Sequence, residues 1–264
     1  MTKASLSVVG SDSTLVRLAL LQTAFGFAGG AAIFWLDGGL DGSGSGGTLA
    51  LWALLVSLPL TFSSVFFGVA LAAAANARLE GGSLTMRAAL RVSVGRLWQI
   101  LLWSAISTVI GVLIRELIER LPLGGKIVSW LAGVAWSLAT MFVVPVLALE
   151  GCTAFACARR SAGIFRERWG EGVSGQMVIG AWSIVLTIPA CMALGVGASM
   201  NERGEAAGAV TIAIGLGVLF GVSALVGVVA QTFQLILYRY ALDKPVPPRF
   251  ARRDLEDPLR RKGS

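Results

Sequence analysis

The chain has 264 residues, 55% of them hydrophobic and only 14% charged, with a formal net charge of +7 and no histidine. A water-soluble domain ordinarily carries ~25% charged residues, so this composition excludes an ordinary soluble globule and predicts a chain surrounded by lipid. Without histidine the commonest general base and metal ligand is missing, and no other residue cluster suggests catalysis.

A helix needs ~20 mostly apolar residues to cross ~30 Å of hydrocarbon at ~1.5 Å per residue. Six stretches approach or exceed that length. An arm of residues 1–17, with Lys3 and Arg17, leads into the first, Leu18–Leu36. A cleavable leader has an apolar core of ~7–15 residues, so this longer one is expected to be retained as a span. The loop Asp37–Thr48 is acidic and rich in Gly and Ser, with no packing core of its own. The second span is Leu49–Asn76. After it, Leu84–Leu97 reads as a basic helix, with Ser83 as a candidate cap and Arg87 and Arg91 forming a ridge.

The third span, Leu97–Ile114, is predicted to continue as helix to Pro122. Arg115 with Glu119, and Glu116 with Arg120, are two i,i+4 pairs that support this extension. The fourth span is Ile127–Leu149. A second basic helix follows, in which Phe155, Ala158, Ala162, Phe165 and Trp169 make one apolar stripe. Arg159 and Arg166 flank that stripe and Arg160 points away, as expected of a helix lying in the interface with its cations reaching phosphates. The fifth and sixth spans are Met177–Gly197 and Val210–Leu237, followed by a basic tail, 243–264.

The arm, the second and fourth loops and everything after the sixth span, Arg239 included, hold 18 of the 22 Lys and Arg residues; the first, third and fifth loops hold four. Cationic loops are retained in the cytoplasm, which places both termini there. The positive charge is thereby explained by an anionic leaflet, and no nucleic-acid partner is expected. Cys152, Cys157 and Cys191 have no zinc-like spacing. The first two fall on the cytoplasmic side, where disulfides are rare, and are read as small packing residues. No cofactor and no metal are implied.

Polar groups inside the spans are few. No Asp, Glu, Lys or Arg lies at a span centre. Gln231 and Gln234 share a helix side and could line a shallow crevice. Pro59, Pro145 and Pro189 are expected to kink spans two, four and five. Gly26 with Gly30, and Gly217 with Gly221, have the G-x-x-x-G spacing, which internal packing or chance explains as well as dimerisation. Trp103, Trp136 and Trp182 are expected to fill the bundle, and Trp98 and Trp130 to sit at its borders. Glu80 and Glu150 close spans two and four and are expected to pair with cations of the helix that follows, Arg91 and Arg160. Leu79-Glu80-Gly81 and Leu149-Glu150-Gly151 form a weak internal repeat, each followed by a basic helix and a returning span.

Pro145 to Gly151, then Ala158-Arg159-Arg160-Ser161, Trp169-Gly170 and the ending Tyr238-Arg239-Tyr240 resemble an uncharacterised six-span bacterial and archaeal membrane family. That family is similar to the membrane domain found with some glycerophosphodiester phosphodiesterases. The resemblance covers the chain roughly from span two onward, implies a six-span fold and brings no catalytic or binding residues. The phosphodiesterase activity does not transfer, because no such domain is attached. Arg outnumbers Lys 18 to 4, a bias of GC-rich bacterial genomes, and the expected location is a bacterial plasma membrane.

The sequence thus predicts an all-α bundle of six transmembrane helices with two interfacial cytoplasmic helices. It predicts a non-enzymatic protein that organises lipids or a protein partner at the cytoplasmic leaflet. The expected working residues are Arg87, Arg91, Glu150, Arg159, Arg160 and Arg166, with anionic headgroups as ligand. A transporter or channel built on the kinked spans is the alternative.

Overall fold

This computed structural model describes residues 13–37, 46–120, 123–167, 169–204 and 207–242. These residues form helices and their connections, with no strand among them: α1 (Ser13–Asp37), α2 (Gly46–Leu79), α3 (Met86–Val94), α4 (Leu97–Arg120), α5 (Leu123–Thr140), α6 (Val143–Leu149), α7 (Ala154–Glu167), α8 (Trp169–Glu202) and α9 (Ala207–Ala241). The arm's first twelve residues and the tail lie outside the described residues.

Five segments are long and apolar enough to cross a membrane: Ser57–Leu79, Leu97–Ile118, Ile127–Leu149, Ser183–Glu202 and Ala207–Ala241. In α1 the described apolar stretch is shorter, Thr14–Gly29. The protein is a membrane-embedded helical bundle. α2 and α8 have 34 residues each and α9 has 35. At ~1.5 Å per residue each runs ~50 Å, well beyond the ~30 Å of hydrocarbon, so their ends project past it.

Packing is uneven along the bundle axis. One end gathers the start of α1, the close of α2, α3, α6, α7 and the close of α9. It carries Arg78, Arg87, Arg91, Arg96, Arg159, Arg160, Arg166 and Arg239, and is called the basic end below. Its core includes Leu15 and Leu18 of α1, Val69 to Ala75 of α2, Val143 to Ala148 of α6, and Phe233 and Leu235 to Tyr238 of α9. Phe25 meets Phe67 with ring centroids 5.3 Å apart, and Phe27 meets Phe220 at 5.5 Å, so α1 is held against both α2 and α9. Elsewhere apolar side chains face outward: Leu113 and Leu117 on α4, Ile127 to Leu131 around Trp130 on α5, Ile184 to Leu186 on α8, and Val210 and Ile214 on α9. Outward apolar side chains at that density suit a lipid solvent.

The expected fourth span is two helices. α5 stops at Thr140 and α6 starts at Val143, with Met141 and Phe142 as the joint. Pro145 explains the position. It has no N–H to give to the carbonyl four residues earlier, Met141, and its ring crowds that carbonyl; inside the first turn of a new helix it is tolerated. Pro59 and Pro189 instead lie inside α2 and α8 without ending them.

The other sequence expectations divide. α4 does run to Arg120, just before Pro122. Trp103 is buried and stacks on Trp136 with centroids 6.0 Å apart, whereas Trp98 and Trp130 are exposed; Trp182 lies outside the described side chains. The first basic helix is shorter than Leu84–Leu97, and its cap is Thr85, whose hydroxyl accepts from the Ala88 N–H, rather than Ser83. Of the G-x-x-x-G glycines, Gly26, Gly217 and Gly221 face open space, since a Cβ on any of them would meet nothing within 4 Å; Gly30 lies outside the described side chains. Close approach of α8 and α9 uses other glycines, since a Cβ on Gly197 would stand 2.8 Å from Ile212 Cγ1 and one on Gly215 3.1 Å from Leu194. Cys152 and Cys157 are joined as a disulfide rather than packed as separate thiols, tying the turn before α7 to its first turn; Cys191 is free and exposed.

Candidate lipid-facing site at the basic end

The two repeat turns are built alike. α2 ends in a Schellman motif: Gly82 N–H donates to Ala77 O at 2.9 Å and Gly81 N–H to Arg78 O at 3.1 Å. Gly81 has φ +83°, a left-handed conformation that favours glycine. Gly151, at φ +65°, turns the chain out of α6 in the same way. Each turn delivers a glutamate, Glu80 or Glu150, to the same place, the last turns of α9.

There the two glutamates meet consecutive residues. The Tyr238 hydroxyl donates to Glu150 Oε1 at 2.7 Å. Arg239 Nη1 donates to Glu80 Oε1 at 3.0 Å and to Asn76 Oδ1 at 2.6 Å, and Asn76 Nδ2 donates to Glu80 Oε1 at 3.1 Å. Tyr238 and Arg239 are both buried. Glu150 also takes Arg160, as expected, with Nε 3.4 Å away in an exposed pair. Such pairs contribute ~0–1 kcal/mol. Glu80 does not take Arg91; its partner comes from α9.

The basic helices also reach back into the bundle through matched serines. Ser93 of α3 is fully buried and its hydroxyl donates to Phe66 O of α2 at 2.8 Å. Ser161 of α7, also fully buried, donates to Ala139 O at 2.6 Å and accepts from Phe142 N–H at 3.1 Å. Ser161 therefore satisfies both sides of the break between α5 and α6. Backbone groups left open away from water cost free energy, so this side chain helps the break persist.

These serines fix which face of each basic helix looks outward. The buried stripe of α7 is Ala154, Cys157, Ser161, Ile164 and Phe165. The expected stripe began one residue later. Phe155, expected on the apolar side of an interfacial helix, is 71% exposed, and Ala158 and Ala162 are only partly covered. Arg159, Arg160 and Arg166 are exposed on α7, and Arg87 and Arg91 on α3. No carboxylate is recorded within ion-pair distance of Arg87, Arg91, Arg159 or Arg166 among the described residues. The structure thus leaves five of the six sequence-predicted residues as outward cations on two helices. It turns the sixth, Glu150, into a structural anchor for α9.

Sequence reasoning missed Tyr238 and Arg239 as the shared anchor, Ser93 and Ser161 as plugs, and Arg96. The visible signals were the Tyr-Arg-Tyr ending and a serine among the inward residues of each basic helix. Of the crevice residues, Gln231 Nε2 donates to Gln22 Oε1 at 3.1 Å, so it ties α9 to α1. Gly68 lies beside this amide, and the tight approach there is to Val144, whose Cγ1 would stand 3.2 Å from a Cβ at that position. The three prolines do not line a common interior: Pro59 and Pro189 are exposed, and Pro145 is packed in α6. Among the described residues no group of three or more Cys, Asp or Glu side chains is placed to hold a metal.

Residues 48–246 match the model of a family of unknown function, DUF6159. No curated protein and no solved structure matches the chain.

Proposed function

Because the chain belongs to the DUF6159 family, whose function is unknown, its role has to be argued from its own residues, and we propose that it is a non-catalytic, six-span protein that gathers anionic lipid at the cytoplasmic leaflet of a bacterial plasma membrane. In this reading α1 is the sixth crossing, α3 and α7 lie at the cytoplasmic interface, and both termini are cytoplasmic. Kinship with the membrane domain that accompanies some glycerophosphodiester phosphodiesterases belongs to the same proposal and brings no activity with it.

One observation carries the reading: Arg87, Arg91, Arg159 and Arg166 point outward from helices whose inner faces are fixed by buried serines, with no carboxylate within ion-pair distance among the described residues. Cations near an anionic leaflet gain roughly 1 kcal/mol each. Four such residues on rigid helices form a field that would enrich acidic lipid around this end of the bundle. A protein partner bearing an acidic surface would use the same field.

The test is lipid selectivity of the full chain. In vesicles of mixed phosphatidylglycerol and phosphatidylcholine, spin-labelled lipid should report an acidic excess in the layer touching the protein. The excess should shrink with added salt, since exposed charges are screened over ~10 Å at 0.1 M. A variant with Arg87, Arg91, Arg159 and Arg166 all changed to Gln should lose most of it. An annulus with no acidic preference in the wild type would end the proposal.

A further inference from the structure

Arg96 occupies the joint between α3 and α4, and its guanidinium lies on Gly151, in the turn between α6 and α7. Its Cζ, Nη2 and Nε lie 3.2, 3.3 and 3.6 Å from where a Cβ on residue 151 would stand. The plane therefore rests flat on a glycine that has both no side chain and a positive φ. Nη1 is buried and has no hydrogen-bond partner among the described residues. Burial lowers the pKa of this group from its ordinary value, a sign of a cation taken out of water.

A desolvated guanidinium N–H without an acceptor costs several kcal/mol, so an acceptor is required. The two glutamates described at the basic end, Glu80 and Glu150, are already engaged. Glu150, beside Gly151, takes Tyr238 and Arg160. Glu80 takes Arg239 and Asn76. Among the described residues no other carboxylate forms an ion pair at this end, which leaves room for a counter-charge from a ligand. The surroundings say what kind. Val94, Leu97 and Trp98 on one side of the joint, and Phe155 after the facing turn, are exposed, Trp98 by 74% and Phe155 by 71%. Aromatic rings at such a border mark headgroup depth. A planar guanidinium at that depth matches the oxygens of a phosphate.

We propose that Arg96 over Gly151, flanked by Trp98 and Phe155, is a discrete site for the phosphate of one anionic phospholipid. This rests on the lipid-gathering reading for its setting but not for its residues. The exposed arginines hold a diffuse, salt-sensitive annulus, whereas Arg96 holds a single lipid. The half-buried guanidinium is less screened by salt than the exposed arginines, so the single lipid should survive where the annulus does not.

The experiment is native mass spectrometry of the full chain, gently extracted and equilibrated with phosphatidylglycerol. The expected result is one retained lipid that persists at high ammonium acetate. Arg96→Gln should retain about tenfold less, in proportion to a lost charge-assisted hydrogen bond. The quadruple variant at Arg87, Arg91, Arg159 and Arg166 should keep the single lipid even though its annulus is lost. Failure of the annulus experiment therefore leaves this prediction standing, and the reverse also holds. Equal retention by Arg96→Gln would overturn the site. Should that variant not fold, the wild type decides alone: a ladder of lipids that falls away with salt overturns the proposal, as does a bare chain with only bound water. In a separate arm with inorganic phosphate, an inorganic adduct that displaces the lipid would assign the site to free phosphate and overturn the lipid assignment.

Discussion

The Tyr238 hydroxyl reaches Glu150 across 2.7 Å, joining residues 88 apart in sequence, and its neighbour Arg239 does the same for Glu80 across 159. The close of α9 is therefore the tie between the two repeat units. Tyr238→Phe should remove the first tie at a cost of about 1–2 kcal/mol, lowering the midpoint of thermal unfolding by several degrees. Arg239→Gln should cost more, because the cation is buried and Asn76 and Glu80 both lose a donor. Unfolding of the purified variants in one detergent checks the order; equal effects would mean that burial of Arg239 adds nothing.

Ser161→Ala should leave Ala139 C=O and Phe142 N–H without their partner, at about 1–3 kcal/mol for each group that water cannot reach. Ser93→Ala opens only one group, Phe66 C=O, already bonded within its own helix, and should cost less. Hydrogen exchange at Phe142 should rise sharply in the Ser161 variant and hardly at all in the Ser93 variant. A Ser161→Ala protein with unchanged protection there would contradict the plug.

The amide bond between Gln22 and Gln231 should couple α1 to α9. A double-mutant cycle to Leu at both positions should give an interaction of about 0.6–1.7 kcal/mol, the range for hydrogen bonds between helices in lipid. A coupling of zero would mean that the aromatic contacts of Phe25 and Phe27 hold α1 unaided.

Thiol counting tests the disulfide. Unreduced protein, unfolded in the presence of an alkylating agent, should take up one group, at Cys191, and reduced protein three. Three groups before reduction would show Cys152 and Cys157 as separate thiols. Because the turn that they close also presents Gly151 to Arg96, reduction should loosen lipid retention at that joint more than in the annulus.

Hydropathy made five crossing helices and the two short basic helices legible, because lipid imposes one strong rule on every residue of a crossing helix. The break in the fourth span was half legible. Pro145 announced it, but the joint lies at Met141 and Phe142, where the displaced carbonyl sits. The apolar stripe through Phe155 is legible on α7, but the line that packs on the bundle, Ala154, Cys157 and Ser161, is not, since Phe155 outweighs Ala154 and Cys157 on any scale of apolarity. Burial followed Ser161 instead, which the open backbone of α5 and α6 demands. The partner of Glu80 was not legible at all. Nothing local distinguishes Arg91, in the next helix, from Arg239, which only the return of α9 brings near. Arg96 was counted with the loop cations, and only the left-handed Gly151 beneath it shows why it differs from Arg87 and Arg91.

Every functional statement above requires that the basic end face the cytoplasm. The direct measurement is labelling of single cysteines, placed at Ser83 and at Arg203 in a chain otherwise free of cysteine, with a membrane-impermeant maleimide in intact cells. Arg203→Cys should label from outside and Ser83→Cys only after the membrane is opened. The opposite pattern, or both sites labelling from one side, would contradict the account.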